Sequence, residues 1–241
     1  MSYLYLVSIG VFTCLSVLMI YLFKYFKKKP LTNIIFVSII TPCYIALVVR
    51  IYFSVGFNDW NFTNALPIAN VSPFMFFILP LFFALPKVPR KYFGILIALL
   101  CVGMFISPTA SCIRYFSINY KFHAHFLLDL VSHYGLFLWG IYLVHSKQVE
   151  LNVRDSLIGG SIIVAVALTM LIINAIFRTG YFGLHLYGKH NIYNVVLVDN
   201  SFLSALIYFT GLISALILGF FFQKGLLMLM NKLKHSEEER K

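Results

Sequence analysis

The sequence predicts an all-α, polytopic membrane protein of seven transmembrane helices, with its N-terminus outside and its C-terminus inside. Three observations carry this. Of 241 residues, 61% are hydrophobic and only 11% charged, and the mean hydropathy is +0.88. A water-soluble domain carries about 25% charged residues. Apolar runs recur at the length, about 20 residues, that a helix needs to cross a hydrocarbon core of roughly 30 Å. Basic residues are concentrated in alternate connections between those runs.

The first span is expected at 3–23. It has no basic start and no small-residue cleavage site, so it reads as a spanning helix rather than a removed signal. The second, 31–53, contains Pro42, and the third, 66–85, contains Pro73 and Pro80. Proline is tolerated in such helices where neighbours re-satisfy the backbone. Spans four to seven are expected at 93–108, 126–145, 156–177 and 201–223. Residues 1–223 then form one transmembrane domain, and 224–241 form a cytoplasmic tail, basic and then charged. Leu226, Leu227, Met230 and Leu233 make an apolar stripe, so the start of the tail is expected to lie along the membrane surface. No stretch remains for a separate soluble domain, and any activity is expected among the helices. Cys14, Cys43 and Cys101 fall in spans and Cys112 in an expected loop, with no pairing pattern.

Of the 19 basic residues, 14 fall in the loops around 24–29, 87–91 and 147–154 and in the tail. Basic loops stay cytoplasmic, which sets the orientation. The net charge of +11 therefore reads as a topology and lipid-surface signal, with no nucleic acid as partner.

Against this apolar background, Asp129 and His133 stand out in FHAHFLLDLVSHYG. Their i, i+4 spacing puts them on one helix face. Ionisable groups at membrane depth face the protein interior and pair with something. Asp129 is placed to hold the His133 imidazole in one tautomer, the arrangement a general base uses, or to fix helix packing. Arg50, Asn70, Ser72, His123, His125, Asn174, Arg178 and His185 belong to the same outer half. The cytoplasmic half carries no comparable set. Arg50 and Arg178 suit a lipid phosphate, or simply snorkel to the interface. His125 reads as an ordinary loop residue. The spacing of His123 and His125 permits metal binding, but no carboxylate is close, so no metal and no cofactor are expected.

Four segments carry a family resemblance: LPIANVSPF (66–74), FISPT (105–109), FHAHFLLDLVSHYGLFLWGIYLV (122–144) and NAIFRTGYFGL (174–184). In order and spacing they resemble the YwaF-type bacterial integral membrane proteins, over about residues 20–223. The resemblance implies a multi-pass protein of the cell membrane. That family has eukaryotic relatives of the acyltransferase type that remodel ether phospholipids, so the resemblance implies lipid acyl chemistry on a cysteine and a histidine. More distant relatives hydrolyse fatty-acid esters with a threonine and a histidine. Position by position, Pro67, Pro108, His133, Asn174, Gly180 and Tyr181 match the family's elements. The family's cysteine position is Val71 here, and valine is no nucleophile, so the cysteine mechanism does not transfer.

Three functions are consistent with these readings. The first is a lipid acyltransferase or esterase, with His133 as base, Asp129 orienting it, Ser72, water or a substrate hydroxyl as nucleophile, and Arg50, Asn70, His123, Asn174, Arg178 and Tyr181 binding the lipid. The second is a non-catalytic subunit that binds membrane lipids or a membrane-protein partner through the same residues. The third is a transporter, since intramembrane Asp and His also relay protons. A retinal protein is excluded by the absence of lysine from 201–223.

Overall fold

The computed structural model describes residues 2–26, 30–55, 70–119, 121–123, 125–177, 184, 190–192, 196–198 and 200–238. Among these are seven α-helices: α1 (Tyr3–Leu22), α2 (Pro30–Val55), α3 (Val71–Ala84), α4 (Lys87–Ser117), α5 (Phe126–His145), α6 (Val153–Phe177) and α7 (Ser201–Glu238). A 3-10 turn, Phe23–Tyr25, follows α1. A small antiparallel hairpin, β1 (His190–Ile192) and β2 (Val196–Val198), precedes α7. Six helices are long and apolar enough to cross a membrane. The seventh, α3, has 14 residues and reaches about 21 Å, short of a full crossing.

The apolar residues do not gather on one stripe. Val7, Val11 and Leu18 of α1, and Ile34, Ile39 and Val49 of α2, are exposed although the opposite faces are packed. A helix that is apolar all round suits lipid on its outer side. Together with the six spans, this makes the chain a multi-pass membrane protein.

The centre is α4 and α5. In their most apolar windows 56% and 67% of residues are buried, against 11–28% in the other long helices. Small residues let the backbones close up, which is how helices associate where lipid is as apolar as the side chains. Gly140 of α5 sits on Cys101 and the Ile97 carbonyl, and Gly159 of α6 sits on Ile95 and the Tyr92 carbonyl. Gly219 of α7 lies against the Leu99 backbone itself. All three seats are on α4. The Gln223 side chain, one turn beyond Gly219, donates to the Ala98 carbonyl (3.3 Å) and to Cys101 Sγ (3.1 Å).

Several sequence expectations are corrected. The fourth helix runs Lys87–Ser117 rather than 93–108, because Pro86 opens it and the polar residues at both ends continue the helix instead of breaking it. Cys112 consequently lies inside α4 and is fully buried, not in a loop. The seventh helix continues to Glu238, past the expected end at 223. Residues 224–238 contain no proline and are rich in Leu, Met, Lys and Glu, all strong helix formers. Leu226 and Leu227 stay packed on the core.

The end bearing the basic loops also holds a polar set, contrary to the expectation that only the opposite end does. Trp139 Nε1 donates to Asn33 Oδ1 (3.0 Å), Asn33 Nδ2 to Gln148 Oε1 (2.5 Å) and Gln148 Nε2 to Ser146 Oγ (2.9 Å). This chain ties α2 to α5 and the turn after it. Lys91 and Asp155 form an ion pair between α4 and α6, and Asn152 caps α6 by accepting from the Asp155 amide (2.8 Å).

Candidate functional site

Asp129 and His133 sit on successive turns of α5, as their spacing requires. His133 Nδ1 lies 3.1 Å from Asp129 Oδ1 and 2.9 Å from the Asp129 carbonyl oxygen. Both neighbours are acceptors, so in the neutral ring the proton belongs on Nδ1 and Nε2 carries the lone pair. The His133 side chain is 9% exposed and that of Asp129 26%, so the carboxylate is the more open member of the pair.

Three helices wall the pair. Phe76 of α3 meets the imidazole edge-on at 5.2 Å, and Tyr44 of α2 stacks on Phe76 at 4.5 Å. The charge of Asp129 reaches Tyr44, Cys112 of α4 and His125. Gly135 presses on Ile40, which brings α5 close to α2 here. The neighbouring Ser132 hydroxyl donates to the Leu128 carbonyl (2.9 Å) and faces the Ile40 carbonyl at 3.5 Å, so it is turned to backbone rather than toward the pair.

Above the pair, His125 holds the N-cap position of α5. Burial, then the charges of Arg50 and His123, hold its imidazole below the ordinary histidine value, with Asp129 opposing them. The His123 and His125 rings are 5.4 Å apart. Arg50 is exposed near the end of α2. Arg50, His123, His125, Asp129 and His133 therefore occupy one end of the bundle.

Other expected site residues lie elsewhere or are not described. Asn70 is the N-cap residue of α3, half-buried, and Val71 begins that helix. Asn174 is fully buried and donates to the Leu184 carbonyl at 2.8 Å, so it anchors the segment after α6. Arg178, Tyr181, Pro67, Gly180 and His185 lie outside the described residues. Among the described residues no group of His, Cys, Asp and Glu is arranged to hold a metal ion.

The anchoring by Asn174 is testable. Asn174→Leu removes the donor and leaves the buried Leu184 carbonyl without it, at a cost of about 1–3 kcal/mol. A clear drop in thermal unfolding temperature in detergent is the expected result, and an unchanged temperature would show the anchor to be dispensable.

Sequence reasoning missed Tyr44, Phe76 and the involvement of His125. A tyrosine midway along an apolar span was the available signal for Tyr44. Nothing local marks Phe76, since its role depends on which helices meet. Comparison with protein-family models, with curated proteins and with solved structures finds no match to this chain.

Proposed function

We propose that this membrane protein handles a lipid at the end of the bundle opposite its basic loops, with His133 as the group that meets the lipid's polar part. The observation that carries the reading is the double contact of His133 Nδ1 with the Asp129 carboxylate and carbonyl. It orients a ring at membrane depth and makes Nε2 the basic nitrogen. That is the state in which a histidine takes a proton from a hydroxyl or water. The resemblance of residues 20–223 to YwaF-type proteins supports a lipid as the substrate, and acyl transfer or ester hydrolysis as the reaction. With Val71 at the family's cysteine position, the attacking group is water or a substrate hydroxyl. Residues 1–223 would form the membrane domain with its N-terminus outside, in the cell membrane, as the basic loops suggest.

The test is mass spectrometry of membrane lipids incubated with the purified protein and with His133→Ala. New lyso- or transacylated species are expected with the wild type. They should fall about a hundredfold or more in the variant, the usual worth of a positioned base. Equal product from His133→Ala would sink the catalytic reading.

A second reading, lipid binding without turnover, is favoured by one observation. The hydroxyl beside His133 in sequence, Ser132, is committed to backbone carbonyls. Under it, the same experiment shows unchanged lipids and one species retained by the wild type but not by His133→Ala.

A further inference from the structure

Resting on the lipid reading above, we infer that the lipid reaches His133 sideways, through the seam between α2 and α3, and that Phe76 is the residue that shuts this way.

His133 is buried, so a lipid meets its imidazole only if something moves aside. Toward α2 and α3 the cover is three rings. Phe76 of α3 stands edge-on to the imidazole (5.2 Å, 84°), and Tyr44 of α2 stacks on Phe76 (4.5 Å, 30°). Tyr44 in turn meets Phe77 edge-on (6.4 Å, 86°). Phe76 is fully buried, but Phe77 is half-exposed. So are Ile45, beside Tyr44, and Leu81, one turn past Phe77. The rings therefore lead from the imidazole to a surface of the kind that lipid covers.

Of the two helices, α3 is the one built to move. Pro80 has no N–H, so the carbonyl of Phe76, four residues earlier, lacks its helical partner. Helices bend at such points, and Phe76 shifts without breaking a backbone bond at its own carbonyl. Beyond Pro80 the helix is anchored. Phe82 and Phe83 pack on Trp139 of α5 (5.3 and 6.1 Å), and Arg90 of α4 donates to the Phe83 carbonyl. α2 is held as well: Gly135 of α5 presses on Ile40, one turn before Tyr44, and Trp139 donates to Asn33. The hinge is thus Pro80, and the part that swings is the start of α3, which carries Phe76.

The experiment uses the full chain in lipid nanodiscs and the reagent diethylpyrocarbonate, which acylates a neutral imidazole nitrogen. Modification of His133 is followed by peptide mass spectrometry, apart from that of the other histidines. Labelling follows the open population, so it is expected to be slow in the wild type and about tenfold or more faster in Phe76→Ala. Phe76→Leu keeps more of the apolar volume; it should fall between them, and it serves if the alanine variant does not fold. Pro80→Ala restores the N–H that the Phe76 carbonyl lacks and should slow the labelling; an unchanged rate there overturns the hinge. Phe82→Ala is the control, a buried ring of the same helix beyond the hinge, and should leave the rate as it is. Fast labelling of the wild type that is indifferent to Phe76, or an equal rise in Phe82→Ala, overturns the sideways entry. Lipid products or retained lipid that depend on His133 would then still uphold the lipid reading. Labelling that depends on Phe76, with no lipid product or retention that depends on His133, upholds the opening and overturns the lipid reading.

Discussion

Gly219→Ala is expected to break the contact between α7 and the centre of the bundle. The added methyl would stand 1.8 Å from the Leu99 carbonyl oxygen, 2.7 Å from its carbon and 3.1 Å from its Cα. All three atoms are backbone of α4, so no side chain can swing aside. Either helix must move by more than an ångström, and Gln223 would then lose its bonds to Ala98 and Cys101. Overpacking a core costs about 1–3 kcal/mol where side chains can give. Backbone against backbone puts this case at the top of that range. A loss of about 3 kcal/mol corresponds to an unfolding temperature lower by roughly 6–12 °C in a chain of this size. Gly10→Ala and Gly103→Ala are the controls, since nothing lies within 4 Å of their added methyl groups. Alanine is the better helix former by about 1 kcal/mol, so these two are expected to match or exceed the wild type. Equal melting of Gly219→Ala and the controls would show that α7 does not seat on α4 in this way.

The second large effect is expected at the basic end. Asn33→Ala leaves Trp139 Nε1, in a fully buried side chain, without its acceptor, and it also releases Gln148. A donor stranded in this way costs about 1–3 kcal/mol. Trp139→Phe removes the donor, so added to the Asn33→Ala variant it should cost less than in the wild type. The double-mutant cycle should give a coupling of about 1 kcal/mol, within the range of up to roughly 1.7 kcal/mol measured for hydrogen bonds between membrane helices. Simple additivity of the two losses would mean that the bond contributes nothing.

Six of the seven expected spans were readable in the sequence because hydrophobicity along the chain is what selects them, while the third, expected over 66–85, is the short helix α3. The ends of the spans were not. Hydropathy reports where a helix leaves hydrocarbon, and α4 and α7 both continue as helices into polar sequence. The pairing of Asp129 with His133 was readable because both lie on one helix, where spacing alone decides the geometry. Tyr44 and Phe76 were not, because they come from other helices and only tertiary packing brings them there. Asn174 shows the limit of arguing from depth. It lies at the level assigned to the site, yet its amide donates to Leu184. The chain through Asn33, Trp139 and Gln148 was overlooked for a related reason. A search for charges at membrane depth passes over neutral amides, although burying an amide makes the same demand for a partner.

The continuity of α7 has a mechanical consequence. Its contact at Gly219 and its exposed Lys232 belong to one unbroken helix with no proline between them. They are separated by about 20 Å of helix axis, so a tilt of roughly 10° about the Gly219 seat swings Lys232 by about 3 Å. The helix thus carries a tilt at its Gly219 seat toward its basic end, against the hold of Gln223, Leu226 and Leu227 on the core. A shift at the seat inside the bundle is therefore lengthened with distance along the same helix.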